Sequence, residues 1–383
     1  MSALLFCEYS VLLSSTNPVN INAMRYVVSG YLLLLMLISG CASTPEQTAA
    51  VTAPLYFPPP PEQPRFVFER TVQASGSIQQ PDREARMRRM LTGESESGKA
   101  LAKPFDVAAC QGQVFVSDTV QRSVMTFDVP GQRFYEIGTE EPGVLRKPLG
   151  LDTDADCNLY VADGTTRKIM IYDQSGRFLK GVGGQEWFER LSHVAVDTEG
   201  RRIFAVDTGG VSSTAHRVRV FDVQSGEHLY DIGTRGEQPG QFNLPRDIEV
   251  GPDGMLYIVD GGNFRVQVLN QDGSFIREIG GLGRMYGQFA RPKGVGIGQD
   301  GNIYISDAAH GNFQIFDPDG QLLLFVGERS EKFDRAVYML PAGIDVDEDG
   351  RVYMVDQYFR KLDVYRPAQL GETEGFLGAW KLP

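Results

Sequence analysis

The stretch Gly287-Gln288-Phe289-Ala290-Arg291-Pro292, continued by Lys293-Gly294-Val295-Gly296-Ile297, Gln299-Asp300-Gly301-Asn302 and Ile303-Tyr304-Ile305-Ser306-Asp307, decides the fold. Two short runs rich in β-branched and aromatic residues flank a turn containing Asp-Gly, which is the signature of a hairpin. The second run ends in an aspartate with an aromatic three residues before it. Five other segments share that ending: Val114–Asp118, Leu159–Asp163, Ile203–Asp207, Leu256–Asp260 and Val352–Asp356. Their aspartates Asp118, Asp163, Asp207, Asp260, Asp307 and Asp356 recur roughly every 45–50 residues, the period of a repeated supersecondary unit.

Each unit reads as four short strands. The third ends at Phe127, Tyr172, Phe221, Leu269, Phe316 and Tyr365, and the third unit carries an insertion, Gly209–His216, before it. The fourth strand ends at Gly138, Gly183, Gly233, Gly280 and Gly327. Four-stranded units repeated radially give an all-β, six-bladed β-propeller. The sixth unit has no fourth strand of its own, and an unpaired sheet edge invites aggregation. Arg65–Val72 alternates correctly to supply it, so the ring is expected to be closed by an N-terminal strand, with Phe376–Leu377 as the competing segment. The domain expectation is a propeller over 65–370, with 65–72 as closing strand, a short helix over 81–91 and a C-terminal tail at 371–383. Pro81 and Asp82 suit the start of that helix and Gly93 its end.

The motifs Gly240-Gln241-Phe242-Asn243-Leu244-Pro245 and Gly287–Pro292, with Asp260-Gly261-Gly262-Asn263-Phe264-Arg265 and Asp272-Gly273, resemble those of NHL repeats over residues 103–366. The resemblance implies an NHL-type propeller and, by itself, little about activity. NHL-like and related six-bladed folds include a zinc-dependent peptide-amidating lyase and calcium-dependent lactonases, so it also implies where an active site would sit.

At the N-terminus an apolar run, Val27–Ile38, follows Arg25. It is too short to cross a bilayer comfortably and suits a signal-peptide core. Ile38-Ser39-Gly40-Cys41 resembles a bacterial lipobox. That resemblance implies a lipoprotein signal peptide at 1–40, cleavage before Cys41 and a covalent diacylglycerol on its thiol, and the short spacing from Met24 to Ile38 points to translation starting at Met24. Residues 41–64, with Pro58–Pro61, read as a lipidated, Pro-rich tether. The chain is therefore expected to be exported and held at the cell envelope through its lipid anchor, with Ala42 pointing to the outer membrane.

A formal net charge of −12 opposes binding to phosphate backbones, so nucleic acid is not an expected partner. The four cysteines show no CxxC spacing and the four histidines are far apart, which excludes a zinc motif. Cys110 and Cys157 occupy turns of adjacent units, where an oxidising compartment would permit a disulfide.

Three groups of residues are candidates for function. At the channel entrance the matched positions are Asp106, Gly150, His193, Asp247, Gly294 and Gly343; Asp106, His193 and Asp247 are those able to hold a cation or act as acid and base. The loops on that face carry Trp187, Phe188, Phe264, Arg265, Arg284, Tyr286, Tyr358, Phe359 and Arg360, a mixture of aromatic and basic side chains suited to protein or glycan contact. The strand-ending aspartates are expected to be structural, accepting backbone N–H bonds in turns. The favoured reading is a lipid-anchored envelope scaffold without catalysis or cofactor, binding a protein or polysaccharide. The alternative is a metal-dependent hydrolase or lyase acting near His193.

Overall fold

The computed structural model describes residues 53–78, 87, 98–197, 201–378 and 380. Residues 1–40, expected to be a signal peptide, Cys41, residues 42–52 and, apart from Met87, the 81–91 segment lie outside the described residues.

Alternating strands with short Gly/Asp turns form six antiparallel sheets arranged as blades. Blade 1 runs Pro104–Cys110, Gln113–Asp118, Ser123–Asp128, Arg133–Ile137; blade 2, Pro148–Thr153, Leu159–Asp163, Lys168–Tyr172, Phe178–Gly183; blade 3, Leu191–Val196, Arg202–Asp207, Arg217–Asp222, His228–Ile232. Blade 4 runs Pro245–Val250, Leu256–Asp260, Arg265–Leu269, Phe275–Gly280; blade 5, Pro292–Ile297, Ile303–Asp307, Asn312–Phe316, Leu322–Val326. Blade 6 has Pro341–Val346, Val352–Asp356 and Lys361–Pro367, completed by Phe66–Val72. The chain is a six-bladed all-β propeller closed by its N-terminal strand.

That strand pairs antiparallel with Lys361–Pro367, placing Phe66 opposite Pro367 and Val72 opposite Leu362. The competing segment Phe376–Leu377 forms no strand. Leu377 and Trp380 pack instead into the apolar layer between blades 6 and 1, and the Trp380 indole donates to the Ser77 carbonyl at 2.9 Å. The tether boundary at residue 64 needs correction, because Tyr56–Phe57 pairs with Phe66–Val67 as a fifth strand of blade 6. Phe57 packs edge-on against Tyr365, so burial of its ring draws the end of the Pro-rich segment onto the propeller instead of leaving it as a free spacer.

The second strand of each blade is buried on both faces, since it lies between two strands and between two blades. Outer strands such as Phe178–Gly183 and Phe275–Gly280 alternate exposed and half-buried positions. Apolar clusters fill the gaps between consecutive blades, for example Phe204 and Val220 against Ile248 and Ile258.

Candidate functional site

Each strand-ending aspartate is fully buried and holds the loop before its innermost strand, and Asp118, Asp163, Asp307 and Asp356 hold the turn that follows them as well. Asp118 accepts the N–H groups of Ala102 and Lys103 through one oxygen and those of Val120 and Gln121 through the other. Asp163 does the same with Arg146, Lys147, Thr165 and Thr166, and Asp307 with Ala290, Arg291, Ala309 and His310. Asp207 holds Glu189 and Arg190, Asp260 holds Asn243, and Asp356 holds Met339, Leu340 and Phe359. These bonds fix the loop that leads into each innermost strand, and so fix what that loop presents to the channel mouth.

Below the mouth, the channel side chains join one blade to the next. Asp106 of blade 1 accepts Leu151 N–H of blade 2 at 2.9 Å, and Asp152 of blade 2 accepts Val196 N–H of blade 3 at 2.8 Å. Thr208 donates to the Pro245 carbonyl across the next seam at 2.9 Å, and Asp247 accepts Val295 N–H at 2.9 Å. Ser306 donates to the Ala342 carbonyl at 2.7 Å, and Asp345 closes the circle on Ala109 N–H at 2.7 Å. With Glu249, the four carboxylates lie around a space of about 10 Å³, roughly the size of one water probe. Burial, opposed by the amide bonds, raises Asp152 to about 8, Asp247 to about 7 and Asp345 to about 6; burial and neighbouring carboxylates push Asp106 and Glu249 well above the usual range.

His193 sits between Asp106 and Asp247, its Nε2 3.6 Å from an oxygen of each, and its ring packs against Phe105 at 5.4 Å. Burial, together with Lys293 and Arg246, lowers it to about 3, so the imidazole is neutral. The donor set does not suit a divalent cation. The Asp106 oxygen nearest His193 already accepts the Leu151 N–H, and among the described residues no three His, Cys, Asp or Glu side chains converge to hold a metal. Glycines fill neighbouring channel positions for steric reasons: a Cβ on Gly150 would lie 2.6 Å from His193 Cα, and one on Gly343 2.6 Å from Asp106 Cα.

The channel mouth is a cavity of about 330 Å³. Five cations line it, one from each of five consecutive blades: Lys103, Lys147, Arg190, Arg246 and Lys293. Sequence reading missed them. They occupy two registers, Lys103, Lys147 and Arg190 just before an innermost strand and Arg246 and Lys293 just inside one, so no local motif marks them. Burial and nearby guanidinium groups lower Lys293 to about 8; burial, Arg291 and Arg190 lower Arg246. Phe105 and Leu149 form an apolar wall, and Ser192, Thr119 and Gln357 add neutral polar groups.

The loop-face candidates divide. Arg284, Tyr286, Tyr358 and Arg360 are exposed, with Tyr286 stacked on Phe325 at 4.0 Å. Trp187, Phe264 and Phe359 are half-buried; Trp187 stacks on His228 at 4.6 Å and packs edge-on against Phe221. Two assignments are corrected. Phe188 is buried against Phe221, and Arg265 is buried in ion pairs with Asp260 and Glu278, because both complete the packing of their own blades. On the opposite face Cys110 and Cys157 form a disulfide, with Cα atoms 5.7 Å apart.

No family model and no curated protein sequence matches the chain. Solved structures do resemble it. A Bacteroides thetaiotaomicron protein of unknown function superposes with a TM-score of 0.56 at 19% identity, covering 80% of this chain and 76% of that one. Kuenenia stuttgartiensis hydrazine synthase gives 0.51 at 15%, covering 70% and 96%. A gluconolactonase from Xanthomonas campestris gives 0.52 at 16%, covering 70% and 86%. At these identities the likeness is one of fold.

Proposed function

We propose that the chain is an NHL-type propeller, lipid-anchored at the cell envelope through Cys41, which serves as a non-catalytic scaffold and offers its channel-mouth face to an envelope protein or glycan. The observation that carries this reading is the use made of the channel acids. Asp106, Asp152, Asp247 and Asp345 each accept an N–H from the next blade, so the groups a hydrolase would devote to metal or proton transfer here hold the ring together. Exposed Arg284, Tyr286, Tyr358 and Arg360 on the same face supply the side-chain types enriched in binding hot spots. The buried disulfide supports an oxidising compartment and hence export.

The competing reading is a metal-dependent hydrolase or lyase centred on His193, favoured by the two carboxylates that flank it. One experiment separates them. The full chain is purified from its own membranes after cross-linking and assayed for bound metal. The scaffold reading expects one recurrent cross-linked partner, lost in Tyr286→Ala with Tyr358→Ala, and no stoichiometric cation. A stoichiometric cation that disappears in His193→Ala and in Asp247→Ala overturns it.

A further inference from the structure

We infer that the channel mouth is a binding site for a small polyanion, a molecule with two or more carboxylate or phosphate groups. The inference rests on the reading of this face as a binding face and gives that face a ligand class.

The ring of cations is the ground for it. Elsewhere in this protein the most deeply buried cations are matched by carboxylates: Arg351 by Glu69 and Asp349, Lys361 by Asp363, Arg219 by Asp231. At the mouth the half-buried Arg246 and Lys293, with the exposed Lys103, Lys147 and Arg190 at its rim, have no carboxylate partner among the described residues, in a chain with 49 acidic and 37 basic residues. The backbone positions that carry them are fixed. Asp118, Asp163 and Asp207 pin the backbone N–H groups of Lys103, Lys147 and Arg190, while Arg246 and Lys293 belong to innermost strands. Like charges held together in a concave, partly desolvated space repel one another, and an anionic ligand removes that repulsion when it binds.

The cavity also constrains the ligand. A volume of about 330 Å³ is at the small end of ligand sites and admits a small molecule, not a folded surface. The charge is uneven. Arg190, Arg246 and Lys293 crowd the side formed by blades 3 to 5, where Arg291 adds its field, whereas Phe105 and Leu149 wall the side formed by blades 1 and 2. Anionic groups would therefore face Arg246 and Lys293, with any carbon skeleton the ligand has against Phe105 and Leu149.

The test is calorimetry and thermal unfolding of the full chain with citrate, with pyrophosphate and with acetate as the monoanionic control. The expected result is saturable binding of citrate or pyrophosphate, which arm wins telling carboxylate from phosphate. Affinity should weaken at least about threefold between low and moderate salt, because the contacts are ionic and partly exposed. Arg246→Gln with Lys293→Gln should weaken binding at least about tenfold. The same pair should raise the unfolding temperature of the unliganded protein, a readout that also certifies folding. Arg133→Gln, on an exposed side chain far from the mouth, should leave the affinity unchanged. Binding of neither polyanion at millimolar concentration, or binding unaltered in the well-folded double variant, overturns the inference. If cross-linking to the envelope partner persists in that case, the ligand class fails alone; if it too is absent, the binding-face reading fails with it.

Discussion

The Asp345 carboxylate of the last blade accepts the Ala109 N–H of the first at 2.7 Å, and so joins the two ends of the ring from inside the channel. Asp106, Asp152 and Asp247 make the same kind of bond at three other seams. Burial raises Asp152 to about 8, Asp247 to about 7 and Asp345 to about 6, above the ordinary carboxylate range in an unfolded chain. The folded state thus holds these protons more tightly than the unfolded state does. Their contribution is largest at low pH and is lost as pH rises towards the folded values. His193, lowered to about 3, acts in the opposite sense, but only below its unfolded value of 6.5. Between about pH 6.5 and 8 the carboxylates therefore dominate, and the unfolding temperature should fall. Asp152→Asn keeps an acceptor and removes the charge, so it should flatten that decline by about 2–4 °C. An unchanged slope in this variant would contradict the assignment.

Arg351 is fully buried and ties three segments together. It contacts Glu69 of the closing strand at 3.1 Å and Asp349 at 3.1 Å, and it donates to the Glu374 carbonyl of the C-terminal segment at 2.8 Å. Removing one member of a buried ion pair strands the other, at a cost of about 3–5 kcal/mol. Arg351→Met alone should lower stability by that amount in urea denaturation. Adding Glu69→Leu should restore only part of it, because one stranded carboxylate is then gone while Asp349 remains and Arg70 loses the carboxylate 3.9 Å away.

How much of this was legible in the sequence follows from how local each feature is. A blade is a run of neighbouring strands, so the recurrence from Val114–Asp118 to Val352–Asp356 exposes both the repeat and its number. Closure was legible too, because the missing strand beside Lys361–Pro367 left one well-patterned segment to fill it. The folding back of Tyr56–Phe57 was not, since prolines around it read as a spacer until Tyr365 is seen beneath Phe57. The mouth cations were hidden for a different reason. Lys103 and Lys293 are distant in the chain, occupy different registers and meet only when the ring closes. Conversely, Phe188 and Arg265 look like loop residues on paper, but Phe221 and Asp260 lie close enough to bury them.

The Cys110–Cys157 disulfide joins the first-to-second strand turns of blades 1 and 2 across a separation of 47 residues. A loop of that size loses enough unfolded-state entropy to contribute about 4 kcal/mol in the chain-entropy model. Cys110→Ala with Cys157→Ala should therefore lower stability by about 2–4 kcal/mol in urea, as should reduction of the wild type. The double variant should become insensitive to reductant. Equal stability with and without the bond would show that blades 1 and 2 are held by their side-chain packing alone.

Gly343 marks a close approach between the innermost strands of blades 6 and 1. A Cβ added there would lie 2.6 Å from Asp106 Cα and would also strike the Asp106 carboxylate. The side chain could swing aside, but the Cα belongs to a strand held by its own ladder and by the Asp106–Leu151 bond. Relief then requires blades 6 and 1 to separate, at the seam Asp345 closes, and overpacking of this kind costs about 1–3 kcal/mol. Gly287→Ala is the informative comparison, because that glycine has nothing within 4 Å but a φ of +82°. Its cost is backbone strain alone, about 1 kcal/mol, with no effect on the channel. Gly343→Ala should lose more stability than Gly287→Ala. It should also weaken the pH dependence described for Asp345, because the seam bond is disturbed along with the packing. If the two substitutions were equally costly and left the pH profile alike, the close approach at Gly343 would not be what holds blades 6 and 1 in register.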